Sequence, residues 1–321
     1  SKKRKSGFGM QDTISKPDSI LKIEDLVVTF SMYKSHGFGK ERLEVIHSLS
    51  LDVHEGEIVA VVGSSGSGKS ILASSILNLL PQNAAVQGKI EYRGMPVTAK
   101  RVKKLCGKEI AFIPQSVDYL DPLMKVKKQV QGIYGNSKIQ EELFEKYGLG
   151  LDVGEKYPFQ LSGGMARRVL ICGAMMQNPS LIIADEPTPG LSMELAMETL
   201  KEFRKMADEG TAVLLITHDI DLALEVADRV AVFYAGAIVE IAPTEDFMRG
   251  KSALRHPYSK AFIDALPQND FMPIKGTQPY AGELPGGCLF ADRCDLFDEK
   301  CMSEQVEREV RGGKVRCIHA T

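Results

Sequence analysis

The chain has 321 residues and a mass of 35.3 kDa, which at roughly 150 residues per domain suggests two domains. Hydrophobic residues make up 44% and charged residues 26%, an ordinary globular composition, and 40 Lys plus Arg against 42 Asp plus Glu leave a net charge of -2. That balance excludes the global basic field of a nucleic-acid binder, and the longest stretch free of charged or strongly polar residues, Val230 to Val239, is about half a membrane span.

Residues 1 to 20 read as a flexible tail, in which Lys2, Lys3, Arg4 and Lys5 form a solvated charge run. No apolar segment follows, so the cluster is not a secretory signal. The expected compartment is intracellular, where six cysteines argue against a disulfide framework. LKIEDLVVTF and LEVIHSLSLDV alternate as strands, joined by SMYKSHGFGKER as a hairpin loop. EIVAVVG is a short β-branched run ending in glycine, the pattern of a buried parallel strand, and SILASSILNLL then takes helical spacing. SLIIAD, TAVLLITHD and RVAVFYAGAIVE supply further buried strands, with ELAMETLKEFRKMADEG a helix closed by Gly210. Strands alternating with helices predict an α/β fold around a mostly parallel sheet, over residues 21 to 250. Residues 251 to 321 hold five prolines and four of the six cysteines, and predict a separate small domain with little regular structure. Cys106 and Cys172, in apolar or helical settings, read as buried small hydrophobes.

Three segments carry chemistry. GSSGSGKS, from Gly63 through Ser64, Ser65, Gly66, Ser67, Gly68 and Lys69 to Ser70, is a phosphate-binding loop after a buried strand and before a helix. Its backbone N–H groups would cradle an anion, Lys69 would reach the β- and γ-phosphates, and Ser70 would ligate Mg²⁺. LIIADEP brings Asp185 to the end of a strand, where it can hold Mg²⁺, with Glu186 next to it placed to polarise an attacking water. LSGGM, from Leu161 to Met165, is a small-residue turn opening a helix, hence a second anion site.

LSGGM followed by ARRVLICGAMMQNPSLIIADEP resembles the signature of ATP-binding cassette (ABC) ATPases. Gln115 in IAFIPQ and His218 in LLITHD match two further motifs of that family, in register over residues 21 to 245. The resemblance implies a cassette with antiparallel β and helical subdomains. It further implies ATP and Mg²⁺ as ligands, with Gln115 sensing the metal and the water, and His218 on the γ-phosphate. Ser162, Gly163 and Gly164 would close over the ATP of a partner subunit in a head-to-tail dimer, and Phe30, or second Tyr33, would stack on adenine. Two departures stand out. Pro189, Gly190, Leu191 and Ser192 replace the usual Ser-Ala-Leu-Asp, and only 45 residues separate Gln115 from Leu161, so the helical subdomain is expected to be trimmed.

HPYSKAFIDALP and GGCLFADRC resemble the C-terminal extension of oligopeptide, dipeptide and nickel importer ATPases. That implies an importer for peptides, nickel or a metal chelate, at the cytoplasmic face of the membrane. Its partners would be a second, different ATPase, two permease subunits and an extracytoplasmic solute-binding protein. A weak regulatory cassette is the alternative suggested by Ser192; a non-transport ABC ATPase is a further one. Cys288, Cys294, Cys301 and Cys317, spaced C-x5-C-x6-C-x15-C in a short Pro-rich segment, suit thiolate ligation of either Zn²⁺ or an iron–sulfur cluster. The resemblance implies a [4Fe–4S] cluster.

Overall fold

The structure is a computed structural model describing residues 19–33, 39–64, 66–133, 135–176, 178–266, 269 and 272–321. The basic tail at 2–5 and Ser65 lie outside the described residues.

The chain opens with two long strands, β1 (Ser19–Tyr33) and β2 (Lys40–His54), then β3 (Ile58–Val62) and α1 (Lys69–Ile76). Next come β4 (Ala84–Tyr92), β5 (Met95–Pro96), α2 (Ala99–Leu105) and β6 (Ile110–Ile113). A helical stretch, α3 (Val126–Gln131), α4 (Ser137–Lys146) and α5 (Gly163–Met175), precedes β7 (Leu181–Asp185), α6 (Met193–Asp208) and β8 (Ala212–Thr217). The described chain ends with α7 (Ile220–Leu224), β9 (Arg229–Tyr234), β10 (Ala237–Pro243), α8 (Thr244–Met248), α9 (Pro257–Asp264), β11 (Arg308–Val310) and β12 (Gly313–Val315).

The strands form two sheets, an antiparallel one in the order β2-β1-β4-β5 and an eight-stranded one in the order β11-β12-β10-β9-β3-β8-β7-β6. Parallel pairing runs from β9 through β3, β8 and β7 to β6, as the β-branched runs require, since such strands are buried on both faces. Ile58, Ala60 and Val62 of β3 face one core with Leu200 and Phe203 of α6, whereas Val59 and Val61 face another with β1, β2 and α1.

The run RVAVFYAGAIVE is two strands, not one. Ala235 (φ 46) and Gly236 (φ 88) make a turn between β9 and β10, which pair antiparallel. A Cβ on Gly236 would lie 2.5 Å from the Val45 carbonyl oxygen, so the hairpin can pass β2 only with glycine there. The expected hairpin loop is shorter than its polarity suggests, because Tyr33 pairs with Lys40 and both strands extend into it. Cys106 differs from expectation too: at the C-terminal end of α2 it is exposed, while Cys172 is buried.

Beyond residue 250 the chain is bound into the main sheet. β12 pairs with β10, placing Val315 opposite Glu240 and Lys314 opposite Ile241, and β11 hairpins onto β12. Leu254, Tyr258 and Phe290 belong to the same core as β3. One buried arginine fastens this junction. Arg255, 1% exposed, donates to Glu240 (3.3 Å) and Asp246 (2.7 Å) and to the carbonyl oxygens of Val310 (2.5 Å) and Arg311 (2.6 Å). Gly313 is required beside it, since a Cβ there would sit 2.7 Å from the guanidinium carbon. Removing one partner of a buried pair strands the other charge, which costs about 3 kcal/mol or more. Arg255→Met should therefore lower unfolding stability by about 3 kcal/mol in urea titration. A loss below about 1 kcal/mol, the range of an exposed pair, would contradict this account.

Candidate nucleotide site and cysteine cluster

The phosphate loop leaves the end of β3 and enters α1. Gly66 (φ 76) and Gly68 (φ 101) occupy left-handed conformations that favour glycine. The Ser67 hydroxyl is buried without a protein partner. Lys69, 5% exposed, donates from Nζ to the carbonyl oxygens of Gly63 (2.8 Å) and Ser64 (2.9 Å). Burial lowers its pKa, and the carboxylates of Glu186 and Asp185 work against that shift.

Asp185 ends β7, which lies parallel to β8, and Glu186 follows it. Burial raises the Asp185 pKa, opposed first by a hydrogen bond from Ser70. Its Oδ1 is buried with no protein partner, and Ser70 Oγ also reaches Gln115 Oε1 at 3.2 Å. An orphaned carboxylate oxygen beside a hydroxyl and an amide oxygen is a hard-oxygen donor set, which fits Mg²⁺. Ser70, Asp185 and Gln115 are the residues that would hold the ion, which when bound neutralises phosphate charge.

Glu186 is 6% exposed and has φ 48, an uncommon conformation for a residue other than glycine. Its N–H donates to the Ile216 carbonyl oxygen (2.8 Å), and its Oε2 meets His218 Nδ1 at 2.8 Å. The His218 side chain is 51% exposed, so the pair spans from a buried carboxylate to open solvent. That geometry can accept a proton from water and steady the resulting charge.

The other sequence-derived residues are placed as follows. Ser162 caps α5, its Oγ accepting from the Met165 N–H at 3.3 Å, and it is exposed together with Gly163. Gly164 packs tightly: a Cβ there would lie 3.0 Å from the Gly190 carbonyl oxygen. No hydrogen bond among the described residues joins this turn to the phosphate loop. Ser192, at the position where an aspartate is usual, caps α6 by accepting from the Leu195 N–H at 3.3 Å. Phe30 is half-buried against the β1–β2 core, and Tyr33 is 80% exposed.

Two contacts have no counterpart in the sequence reading. Ser64 Oγ donates to Gln278 Oε1 at 2.8 Å, so the C-terminal segment touches the phosphate loop. Arg293, next to Cys294, donates to the Tyr234 hydroxyl (3.2 Å) and to the carbonyl oxygens of Lys275 (2.6 Å) and Gly276 (3.1 Å), tying that segment to β9. No local periodicity announces either.

The four C-terminal cysteines converge. Burial pushes the Cys288 thiol up to about 11, opposed by a backbone hydrogen bond from Phe290, with Cys317, Cys294 and Cys301 adding to the rise; burial raises Cys294 and Cys317 too. Cys288 N–H donates to the Cys301 carbonyl oxygen (2.8 Å), and a Cβ on Gly287 would lie 2.4 Å from that oxygen. Among the described residues, the one group of three or more metal-type ligand atoms within 4.8 Å of one another is Asp298, Cys301 and His319.

Comparison with known proteins decides the family. Residues 46–189 match the family described as ABC transporter, and residues 239–301 match the oligopeptide/dipeptide transporter C-terminal region. The oligopeptide transport ATP-binding protein OppD of Bacillus subtilis is 34% identical over 85% of this chain and 81% of its own length. The dipeptide transport ATP-binding protein DppD of the same organism is 33% identical, over 86% and 87%. The chain belongs to this family of ABC transporter ATPases. The probable D,D-dipeptide transport ATP-binding protein DdpD of Escherichia coli is 33% identical over 88% of the chain and 90% of its own length. A dimeric bacterial ABC transporter cassette superposes with a TM-score of 0.58 at 26% identity, covering 70% of this ATPase and 98% of that chain. The family activity is ATP hydrolysis coupled to transport.

The Glu186–His218 pair yields a direct expectation. Glu186→Gln should bind ATP with near-native affinity yet turn over on the order of 10²- to 10⁴-fold more slowly, as loss of a positioned base requires. Nucleotide binding by fluorescence and phosphate release by the assembled transporter measure the two separately. Native turnover in a complex with no second competent site would remove Glu186 from the base role.

Proposed function

We propose that this ATPase powers uptake of short peptides. It would work in a head-to-tail pair with a second, different ATPase, on two permease subunits at the cytoplasmic face, supplied by an extracytoplasmic solute-binding protein. The observation that carries the reading is one chain holding both the cassette and a C-terminal region matching oligopeptide/dipeptide transporters. Peptides are favoured over nickel or a metal chelate because the relatives reported above are named for oligopeptides and dipeptides. The exposed signature turn, joined to the phosphate loop by no hydrogen bond among the described residues, supports a partner chain. A cavity of about 450 Å³ beside the Gln115 segment, lined by Cys106, Phe112, Tyr119, Ile133 and Val169, offers an apolar seat for a permease helix. Within the described residues no helix is long and apolar enough to cross a membrane, so attachment would be through the permeases. The intact Lys69, Asp185, Glu186 and His218 set disfavours a weak regulatory cassette.

Reconstitution in liposomes tests this. Peptide-loaded binding protein should stimulate hydrolysis by the complete assembly, with little activity from the isolated subunit. Stimulation by nickel and not by peptides would overturn the substrate assignment.

We further propose that Cys288, Cys294, Cys301 and Cys317 hold a [4Fe–4S] cluster that tethers the extension. Zinc held by four thiolates is the alternative; the grouping of Asp298, Cys301 and His319 within 4.8 Å of one another is a further possible ligand set beside these cysteines. Anaerobically purified protein should be brown, absorb broadly near about 400 nm, and lose the colour on Cys→Ser substitution. Colourless protein with stoichiometric zinc would overturn the cluster.

A further inference from the structure

Arg167 lies on α5, five residues after Ser162, and turns inward with 7% exposure. Arginine is seldom buried so completely without specific partners. Here they are two consecutive main-chain oxygens on another segment: Nη1 donates to the Pro114 carbonyl oxygen at 2.5 Å, and Nη2 donates to that of Gln115. A rigid guanidinium fork can hold both at once, which an ammonium cannot do with fixed geometry. The charges of Asp185 and Glu186 also reach it, opposing the downward pull of burial on its pKa.

At the other end of the same residue, Gln115 Oε1 accepts from Ser70 Oγ, beside the orphaned oxygen of Asp185. The main chain of Gln115 is thus gripped from α5 while its side chain reaches the magnesium-side oxygens. We infer that Arg167 is a positioning residue for ATP hydrolysis. It fixes the Gln115 backbone so that the side-chain oxygen stays among Ser70 and Asp185. It does so from the helix whose first turn is the signature, so the seating of that turn and the placement of Gln115 are one mechanical event.

Among the described residues no hydrogen bond joins Arg167 to Lys69 or the phosphate loop, so its loss should spare ATP binding and damage the chemical step. In the full transporter, Arg167→Gln should keep the KM for ATP within about twofold. Its kcat should fall on the order of 10²-fold, the scale of a misplacement of about 1 Å. The Mg²⁺ concentration for half-activation should rise severalfold. Arg167→Lys, which can still donate to one carbonyl, should recover part of both. Native kcat and Mg²⁺ dependence in folded Arg167→Gln would overturn the inference. So would parallel loss of ATP binding and turnover, the mark of a merely structural role. If Arg167→Gln does not fold, Arg167→Lys decides, because a native Mg²⁺ requirement in that variant is incompatible with the role. The wild-type complex assayed alongside separates these outcomes from a failure of the transport assignment.

Discussion

Two carboxylates at the end of a fully buried strand set the terms for everything around them. Asp185 and Glu186 are 3% and 6% exposed, and ionised groups withdrawn from water to that degree need compensating charge or hydrogen bonds. The compensation arrives from three elements: Lys69 and Ser70 from the start of α1, Arg167 from α5 and His218 from the end of β8. Each is brought there by the parallel order of β3, β8 and β7, so the sheet topology is also the wiring of the site. The positive φ of Glu186 fits this arrangement, since a backbone held in a sparsely populated region persists only where its surroundings over-determine it.

The parts of this arrangement legible in the sequence are those with short-range signals. IVAVV, LIIAD and AVLLIT announce buried parallel strands because no other element tolerates such uniform apolar runs beside glycine and acidic ends. The phosphate loop, Asp185, Glu186 and His218 follow from where those strands stop. Arg167 was not legible, because an arginine on a helix after another polar turn reads as solvated until the facing segment is known. Arg255 escaped for the same reason, its partners Asp246, Glu240 and Val310 lying 9, 15 and 55 residues away. Strands β11 and β12, with sequences REV and GKV, are too short and too charged to alternate. Long-range pairing with β10, not local preference, makes them strands.

The departures from the family pattern have local explanations at the level of the backbone. Ser192 retains the helix cap that an aspartate would also make, while supplying no charge. The Pro189–Gly190 turn brings a carbonyl oxygen to 3.0 Å from where a Cβ on Gly164 would sit, so a side chain at that position of the signature turn would have to push the turn back.

The pairing of β12 with β10 has a consequence for how this chain could be shortened or could have been assembled in evolution. With the last residues in place, Glu240 and Ile241 find main-chain partners and the sheet edge is a three-residue strand carrying Arg308 and Glu309, short and charged. Cut away, they would leave β10 as a bare margin of seven mostly apolar residues, AIVEIAP, with unpaired N–H and C=O groups facing water. Such margins recruit other chains. By that principle, a cassette stripped of the extension would be expected to pair through β10 with its own copies.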